Sequence, residues 1–357
     1  MDMKSQREVS LVGSEEPLAE IMGKIATAIS GTGPALAFGT VASIHAPADI
    51  AFIVATTGST GISKEVALTA KAVIASAQAS NKFLDAKQGE LWSLLLPLTH
   101  IAAVNVIIRS LELGTVPLDL RNFNGEFPKA TYTAIVPTQL YRALHGDERL
   151  LRHLQATKAV LVGGAHLSPQ LQDLALSHKI NVVTTYGMSE TSGGCVYDGQ
   201  PLDGVSIEIN QDSYIRISGK TLASGYLNSK DNSFDGTWFT TQDLGEIKNG
   251  ILYVQGRADE VIISGGENIS ITAIEELLAT HFPNNQCAAF AVPDLEWGQA
   301  LHIAIVGEVD SAQLSNALEE KLGVAAKPKK IHKIAQIPYI GIGKVNRSAL
   351  LELLHYE

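Results

Sequence analysis

Clustered cysteines are absent from this chain of 357 residues. The two cysteines, Cys195 and Cys287, lie far apart, and neither belongs to a CxxC pair or a Cys/His cluster. Zinc modules and disulfide frameworks both depend on such clusters, so the sequence predicts neither. Two isolated thiols are typical of reduced cysteines in a cytoplasmic protein, and a cytoplasmic location is therefore predicted.

An excess of positive charge is also lacking, since the formal net charge is −10 at pH 7. Proteins that bind nucleic acids need a basic face, so no nucleic-acid partner is expected. The most apolar stretch, residues 91–108, is interrupted by Pro97, Thr99 and His100. A membrane span needs about 20 largely uninterrupted apolar residues, so none is predicted. The mixed charges of residues 1–8 predict no secretory signal.

The composition instead indicates a globular α/β protein, with 45% hydrophobic residues, 18% charged residues and 31 glycines. The length predicts two or three domains. A buried strand at 159–162, a Gly-Gly turn, a helix at 170–177 and a strand at 181–185 follow one another. This order predicts a βαβ crossover and hence a parallel sheet.

Short alternating segments with many turns indicate a small β subdomain at about 203–257. The predicted fold class is therefore α/β. A large N-terminal domain over residues 1–257 would hold parallel or mixed sheets flanked by helices, together with that subdomain. A small, mobile α+β lid over 258–357 would follow a short polar hinge.

Three helices are predicted from apolar periodicity. They span 18–32, 70–83 and about 271–279. Thr69 is the expected N-cap of the second helix, and Thr272 with Glu275 would form a capping box on the third.

A glycine- and hydroxyl-rich loop follows an apolar run at 50–55. It reads Thr-Thr-Gly-Ser-Thr-Gly-Ile-Ser-Lys over residues 56–64. Two glycines let the backbone N–H groups approach a ligand, and the hydroxyls and Lys64 add donors, which suits a polyphosphate. The spacing is not that of a Walker A loop. An ordinary Gly/Ser turn is the alternative.

An aromatic residue and a carboxylate lie together in Tyr-Gly-Met-Ser-Glu-Thr, residues 186–191. The βαβ pattern puts this segment beside Gly163 and Gly164, at strand ends where such sheets bind ligands. Tyr186 is suited to stack on a base, and Glu190 to hold Mg²⁺, which takes few protein carboxylates together with phosphate oxygens. The alternative is a strand-end turn with a solvated glutamate.

Two candidate ligand segments flank the predicted hinge. Asp243 and Arg257 are suited to the two hydroxyls of a ribose, with a turn aspartate and a surface arginine as the alternatives. Beyond the hinge, the β run at 261–264 opens into Gly265 and Gly266. That loop either closes over a ligand or is a plain hairpin turn.

One lysine near the end of the chain lies in a glycine-flanked segment, Pro-Tyr-Ile-Gly-Ile-Gly-Lys-Val-Asn-Arg, residues 338–347. Lys344 alone is weak evidence for any function. It matters because the upstream loops, each suited to a nucleotide or a metal, need a mobile cation to complete them.

In this order the motifs resemble those of the superfamily of adenylate-forming enzymes, which includes acyl-CoA and aryl-CoA synthetases, adenylation domains and luciferases. The phosphate loop matches except for Ser63, where the family has proline, and Gln242 replaces a glycine before Asp243. The Tyr-Gly-x-Ser-Glu, Gly-Arg-x-Asp-Glu and Gly-Lys-x-x-Arg motifs are complete. The resemblance extends from about residue 50 to the end, without the family's usual long N-terminal portion. Residues 192–199 and 262–269 are most similar to the short actinobacterial o-succinylbenzoate–CoA ligases of menaquinone biosynthesis.

The resemblance implies an AMP-forming ligase with ATP, Mg²⁺ and CoA, acting through an acyl adenylate. It implies catalytic roles for Lys344, Glu190 and His100, with Glu190 also binding the metal. The residues implied to contact ATP are Thr57, Gly58, Ser59, Thr60, Gly61, Lys64, Gly164, Ala165, Tyr186, Gly187, Ser189, Asp243 and Arg257. Those implied to contact the acid are His100, Arg109, Gly163, Ser192, Gly193 and Gly194, where the two last glycines would leave space for a bulky aromatic keto acid. Those implied at the hinge and the CoA site are Asp259, Gly265 and Gly266.

Several alternatives stay open. His100 could instead cap the following helix, and Arg109 could be a solvated helix residue rather than the partner of a second substrate carboxylate. The enzyme could use another acid or load a carrier protein, and a catalytically inactive nucleotide-binding regulator is the alternative outside enzymes. The expected partners are small molecules, and a homodimer is left open.

Overall fold

The computed structural model describes residues 6–57, 63–264, 266–283, 285–340 and 344–356. Within these ranges it describes all side chains except those of Thr57, Asp259, Asn268, Ile340 and Lys344. The chain divides into two compact units. The first comprises Met1–Leu167, Leu171–Thr241 and Ile247–Tyr253, and the second comprises Ser168–Gln170, Gln242–Glu246 and Val254–Glu357. The domain boundary after residue 257 stays a prediction.

The strands are, in chain order, β1 (Gln6–Leu11), β2 (Ala35–Phe38), β3 (His45–Pro47), β4 (Ile50–Thr57), β5 (Ser63–Thr69), β6 (Trp92–Leu94), β7 (Leu118–Asp119), β8 (Tyr132–Ile135), β9 (Ala159–Val162), β10 (Val182–Met188), β11 (Gly193–Tyr197), β12 (Gln200–Pro201), β13 (Val205–Ile209), β14 (Tyr214–Gly219), β15 (Gly225–Tyr226), β16 (Trp238–Lys248), β17 (Ile251–Arg257), β18 (Val261–Ser264), β19 (Glu267–Ser270), β20 (Gln286–Asp294), β21 (Gly298–Val306), β22 (Lys330–Lys333), β23 (Tyr339–Ile340) and β24 (Lys344–Val345). The helices are α1 (Leu18–Ser30), α2 (Ala70–Phe83), α3 (Ile101–Glu112), α4 (Pro137–Leu144), α5 (Glu148–Gln155), α6 (Pro169–Ser177), α7 (Ile271–His281), α8 (Ser311–Leu322) and α9 (Arg347–Leu353).

Two large mixed sheets form the frame of the first unit. One has the order β15-β5-β4-β2-β1-β3, and the other has the order β12-β11-β10-β9-β8-β6-β7. In the second sheet β9 and β10 are parallel, as the βαβ pattern predicted, and α6 connects them. Helix α2 contacts both β5 of one sheet and β11 of the other. A smaller sheet, β13-β14-β16-β17, corresponds to the predicted β subdomain.

The second unit is the predicted α+β arrangement, with a sheet of order β19-β18-β21-β20 and β22 paired to β21. Buried aliphatic residues of α7 and α8, including Ile274 and Leu318, pack against one face of that sheet. The predicted fold class is confirmed: mixed sheets flanked by helices, a small β subdomain and an α+β unit. Among the described helices, none is long and apolar enough to cross a membrane.

The predicted helices are present, with one wrong cap. Helix α2 begins as predicted, with the Thr69 side chain accepting a hydrogen bond from the Ala72 amide at 3.1 Å. Helix α7, however, is capped by Ser270, whose hydroxyl accepts from the Ala273 amide at 3.2 Å. The capping box of Thr272 and Glu275 is therefore wrong, because Glu275 is engaged elsewhere in the unit.

A buried pair of histidines lies on the other face of the second unit's sheet. His302 and His332 have ring nitrogens 3.1 Å apart, and the rings of Phe290 and Tyr356 surround them. Burial, reinforced by His332 and Lys330 and partly offset by Asp294, lowers the pKa of His302 to about 4. The folded unit therefore favours the neutral form of the His302 ring.

The histidine pair predicts acid-sensitive stability in the second unit. The unfolded chain takes up a proton at His302 near its ordinary pKa of 6.5, whereas the folded chain does so only near 4. Stability is therefore full above about pH 6.5 and decreases towards pH 4, by up to about 3 kcal/mol. Hydrogen exchange of β20–β22 in the full chain, measured between these pH values, should show this loss.

Substituting His302→Phe should reduce that pH dependence, because the aromatic packing stays and one of the two titrating rings is removed, while burial and Lys330 still lower the pKa of His332. His281→Gln is the matched control, since His281 is an exposed histidine of the same unit. Equal pH dependence in the wild type and in His302→Phe would exclude the histidine pair as its source.

Candidate active site

The predicted phosphate loop connects an antiparallel pair of strands. Thr57 at the end of β4 lies opposite Ser63 at the start of β5. Four of the predicted loop residues lie outside the described residues: Gly58, Ser59, Thr60 and Gly61. The side chain of Thr57 is likewise outside them, so Lys64 is the one predicted phosphate ligand of this loop with a described side chain.

Lys64 binds a carboxylate of the same unit. Its Nζ lies 2.5 Å from Oδ2 of Asp231 and 4.9 Å from the centroid of the Tyr226 ring. Asp231 also accepts hydrogen bonds from the amide of Ser233, at 2.7 Å, and from its hydroxyl. Burial opposes ionisation of Asp231, but Lys64 and Ser233 outweigh it and lower the pKa of that carboxyl. A phosphate that binds Lys64 must therefore compete with Asp231.

Glu190 lies in a single 3-10 turn, Ser189–Thr191, directly after β10, and is 9% exposed. The phenol of Tyr226 donates a hydrogen bond to Oε1 of Glu190 at 2.8 Å. Burial, together with the Glu190 charge, raises the pKa of Tyr226, so the phenol remains a donor. Tyr226 thus lies between two charged groups that were predicted independently from the sequence, Glu190 and Lys64.

The Glu190 carboxylate is the type of ligand that a magnesium ion shares with a phosphate substrate. Mg²⁺ prefers oxygen ligands and is usually bound by one or two carboxylates together with phosphates and water. Within the described ranges, no group of three or more His, Cys, Asp or Glu side chains could hold a metal.

The segment from Tyr186 to Met188 continues β10 beyond the predicted strand end at residue 185. Tyr186 pairs with Val196 across an antiparallel contact between β10 and β11. Its ring packs against the apolar cluster that includes Cys195 and Ile215. The alternative of a strand-end turn with a solvated glutamate is wrong, because the chain continues as a strand to Met188 and Glu190 is buried.

The glycines after β9 lie at the carboxyl end of a parallel strand, as predicted. A side chain at Gly163 would place its Cβ 2.1 Å from the hydroxyl of Thr185 on β10, so only glycine fits between the strands. Gly164 has φ +81°, a left-handed conformation that favours glycine, and Ala165 is exposed.

The predicted space beside Gly193 and Gly194 is filled by protein atoms. A Cβ at Gly193 would lie 2.1 Å from the Asn105 amide nitrogen, and one at Gly194 would lie 2.9 Å from the ring of Tyr197. The same Asn105 nitrogen donates to the Ser192 carbonyl at 2.7 Å. These glycines are thus needed for close packing against α3 and the end of β11, which corrects the role predicted for them. Gly187 also faces this segment: a Cβ there would lie 2.2 Å from the Gly193 carbonyl.

Arg109 is 3% exposed on α3, which contradicts the alternative of a solvated helix arginine. Its guanidinium donates to the hydroxyl of Tyr197 at 2.9 Å and lies 5.0 Å from the centroid of the Trp92 ring. Burial lowers the pKa of Arg109. Among the described residues no carboxylate pairs with it, and its Nε has no hydrogen-bond partner there. A buried cation in this state favours the arrival of an anion.

His100 immediately precedes α3, at the N-cap position, but its side chain makes no capping hydrogen bond. The alternative role as a helix cap is therefore wrong. Burial lowers the pKa of His100, which keeps the imidazole neutral at physiological pH.

In the second unit the two predicted ribose ligands are neighbours. Arg257 Nη1 lies 3.4 Å from Oδ1 of Asp243, although the residues belong to different strands, β17 and β16. Asp243 is 8% exposed. The pair presents a carboxylate and a guanidinium together, a combination suited to hydroxyl groups.

The predicted lid loop joins β18 to β19, with Ser264 opposite Glu267. Gly265 lies outside the described residues. Gly266 has φ +87°, and a Cβ added there would meet no atom of the described residues within 4 Å. Asp259 belongs to a 3-10 turn, Ala258–Glu260, and its side chain is outside the described set.

Arg347, at the start of α9 and shortly after the strand that carries Lys344, forms two ion pairs. Lys344 itself lies on β24, opposite Ile340, and its side chain is outside the described set. Arg347 Nη2 lies 2.8 Å from Glu275 Oε1, and Nη1 lies 3.2 Å from Glu260 Oε1. The arginine of the Gly-Lys-x-x-Arg motif thus connects the start of α9 to α7 and to the turn after β17.

Three residues of the site were missed by sequence reasoning: Tyr226, Asp231 and Asn105. Each contacts a predicted site residue that is distant in the chain. The sequence pattern could have indicated only Tyr226, because it follows Gly225 in a short β segment. Asp231 resembles an ordinary turn residue, and Asn105 resembles an ordinary helix residue.

Two family models match this chain. The family model described as AMP-binding enzyme matches residues 5–227, and that of the AMP-binding enzyme C-terminal domain matches residues 273–344. A probable 2-succinylbenzoate–CoA ligase of Mycobacterium tuberculosis is 40% identical over 325 residues, which cover 85% of this chain and 84% of the relative. The family match begins at residue 5, so the prediction that the resemblance starts near residue 50 is wrong.

Two solved structures of o-succinylbenzoate CoA synthetase from Bacillus subtilis have the same fold. One, in complex with the acyl-adenylate intermediate OSB-AMP, has a TM-score of 0.78 at 23% identity and covers 96% of this chain and 82% of its own. The other, in complex with ATP and a magnesium ion, has a TM-score of 0.77 at 22% identity and covers 95% and 83%.

Proposed function

The chain belongs to the AMP-binding enzyme family, and on that premise we propose that it is an AMP-forming acid–CoA ligase specific for 2-succinylbenzoate. It converts ATP, 2-succinylbenzoate and CoA to the succinylbenzoyl thioester, AMP and diphosphate, a step of menaquinone biosynthesis. The name of the relative with 40% identity supports the choice of acid. The ligands of the two similar structures, an acyl adenylate and magnesium with ATP, support the chemistry.

The reaction consists of two displacements. First the carboxylate of the acid attacks the α-phosphorus of ATP, so a C–O–P bond forms and diphosphate leaves. The CoA thiolate then attacks the acyl carbon, and AMP leaves. Because the first step brings a carboxylate to a triphosphate, its catalysis depends on positioning and on the neutralisation of negative charge.

In the first unit, Lys64 would bind the β- and γ-phosphates, together with the loop residues Thr57, Ser59 and Thr60. Glu190 would hold magnesium, which when bound supplies positive charge to the phosphate oxygens. Contacts to the adenine are proposed for Tyr186 and Gly164. A phosphate bound there would replace Asp231 as the partner of Lys64.

In the second unit, Asp243 and Arg257 would bind the ribose hydroxyls, and their proximity supports this. Lys344 would bridge the acid carboxylate and the α-phosphate in the first step. For the second step, a rotation at Asp259 would bring Gly265 and Gly266 to CoA, a domain-closure mechanism with one hinge.

The choice of a dicarboxylic acid rests on the burial of Arg109 without a carboxylate partner among the described residues. A monocarboxylic acid uses its only carboxylate in the reaction, whereas 2-succinylbenzoate has a second one that requires a partner. A buried arginine with a hydroxyl and an aromatic ring as its described neighbours is suited to that carboxylate. His100, nine residues earlier and at the start of the same helix, would line the path to the reacting carboxylate.

Product analysis tests this function. The purified chain is incubated with ATP, Mg²⁺, CoA and either 2-succinylbenzoate or benzoate, and the products are identified by mass. We expect the succinylbenzoyl thioester and AMP from the first acid and little product from the second. Equal rates with both acids would refute the proposed specificity, and ATP binding without any AMP formation would favour an inactive regulator.

A cytoplasmic location is proposed from the small-molecule substrates and the two isolated thiols. A homodimer is testable by light scattering of the purified chain, in which a mass of about twice 38.0 kDa would be expected.

A further inference from the structure

We propose that Tyr226 is a positioning residue that sets Glu190 for the binding of magnesium with ATP. The inference rests on the proposed function of Glu190. It is carried by the 2.8 Å hydrogen bond from the Tyr226 phenol to the Glu190 carboxylate. The phenol neither contacts reacting atoms nor transfers a proton in this role.

Tyr226 is held in place by its own strand and by a second ring. On β15 it pairs with Val66 of β5, the strand that leaves the predicted phosphate loop. The next residue continues the contact, since the Leu227 amide donates to the Glu65 carbonyl at 2.9 Å. The ring meets Phe234 edge to face, with centroids 5.5 Å apart. The phenol therefore has a defined position before any ligand binds.

The environment makes this hydrogen bond effective. Glu190 is 9% exposed, and a buried carboxylate needs donors that stabilise its charged form. A hydrogen bond to a charged group contributes more than one between neutral groups.

The same ring also lies beside the phosphate-binding lysine. Lys64 Nζ is 4.9 Å from the ring centroid, close enough for a cation–π contact. One side chain thus contacts both the proposed metal ligand and the proposed phosphate ligand. Magnesium and the phosphates must bind together, so a fixed distance between these two groups is what the site requires.

A purely structural hydrogen bond is the competing explanation, and the chain offers a matched control for it. Tyr132 donates to Oε2 of Glu90, also at 2.8 Å, in the same unit. That pair lies outside the proposed site. Tyr226→Phe and Tyr132→Phe therefore each remove one Tyr–Glu hydrogen bond and retain the ring.

The experiment measures ATP binding by calorimetry, without acid or CoA, at a series of Mg²⁺ concentrations. For Tyr226→Phe we expect the Mg²⁺ concentration required for half-maximal ATP affinity to rise about tenfold. At saturating Mg²⁺ the ATP affinity of Tyr226→Phe should equal that of the wild type. Tyr132→Phe should match the wild type throughout. Thermal unfolding of both variants without ligand verifies that each is folded.

Wild-type Mg²⁺ dependence in Tyr226→Phe, or an equal shift in Tyr132→Phe, would overturn the positioning role. So would Mg²⁺-independent ATP binding by the wild type. Failure of the proposed function is a separate result: the wild type would then form no succinylbenzoyl thioester, while its Mg²⁺-dependent ATP binding would still respond to Tyr226→Phe.

Discussion

Replacing Lys344 with alanine should slow acyl-adenylate formation by about 10²- to 10³-fold, as expected when a preorganised charge is removed from a polar transition state. The lysine is proposed to neutralise charge where the carboxylate meets the α-phosphate. Thioester formation from a supplied acyl adenylate needs no such contact. Its rate should therefore remain within about twofold of the wild type, since the interaction is made only in the first transition state.

The two half-reactions are measured separately, by diphosphate release and by thioester formation from the supplied adenylate. Lys327→Ala is the control, because Lys327 is a lysine of the same unit that pairs with Glu319 at 2.8 Å on the surface. Parallel losses in both half-reactions of Lys344→Ala would refute the assigned role.

Replacing Arg109 with methionine should lower kcat/KM for 2-succinylbenzoate by about 100-fold, because a hydrogen bond to a charged group contributes about 1.5–3 kcal/mol. Methionine fills much of the buried volume but offers no charge to the second carboxylate. Any low activity with benzoate should remain unchanged, because benzoate has no second carboxylate. The ratio of the two kcat/KM values is thus the informative measurement.

Tyr197→Phe tests whether specificity depends on the charge of Arg109 or on its hydrogen bond to Tyr197. It removes the hydroxyl that accepts the Arg109 hydrogen bond at 2.9 Å and leaves the guanidinium in place. We expect this variant to retain most of the preference for 2-succinylbenzoate. If Arg109→Met loses activity with both acids in proportion, Arg109 is structural and the acid's second carboxylate is bound elsewhere.

Local patterns in the sequence were sufficient for the fold class and the type of chemistry. Strand, Gly-Gly turn, helix and strand predicted the β9–α6–β10 crossover, because propensity acts within a few residues. Local reasoning ended the second strand too early, at residue 185. Residues 186–188 also form part of β10, because β11 returns to pair with them.

Residue types in local motifs show which side chains are available for this reaction: Lys64, Glu190, Asp243, Arg257 and Lys344 lie in motifs whose residue types suit phosphates, a metal, a ribose and a carboxylate. The partners of the described side chains depend on the fold. Lys64 pairs with Asp231, and Glu190 accepts from Tyr226. Arg109 is buried beside Tyr197 rather than solvated. The type of a residue can be read at its own position in the sequence. The desolvation and the hydrogen bonds that change the stability of its charge come from segments distant in the chain.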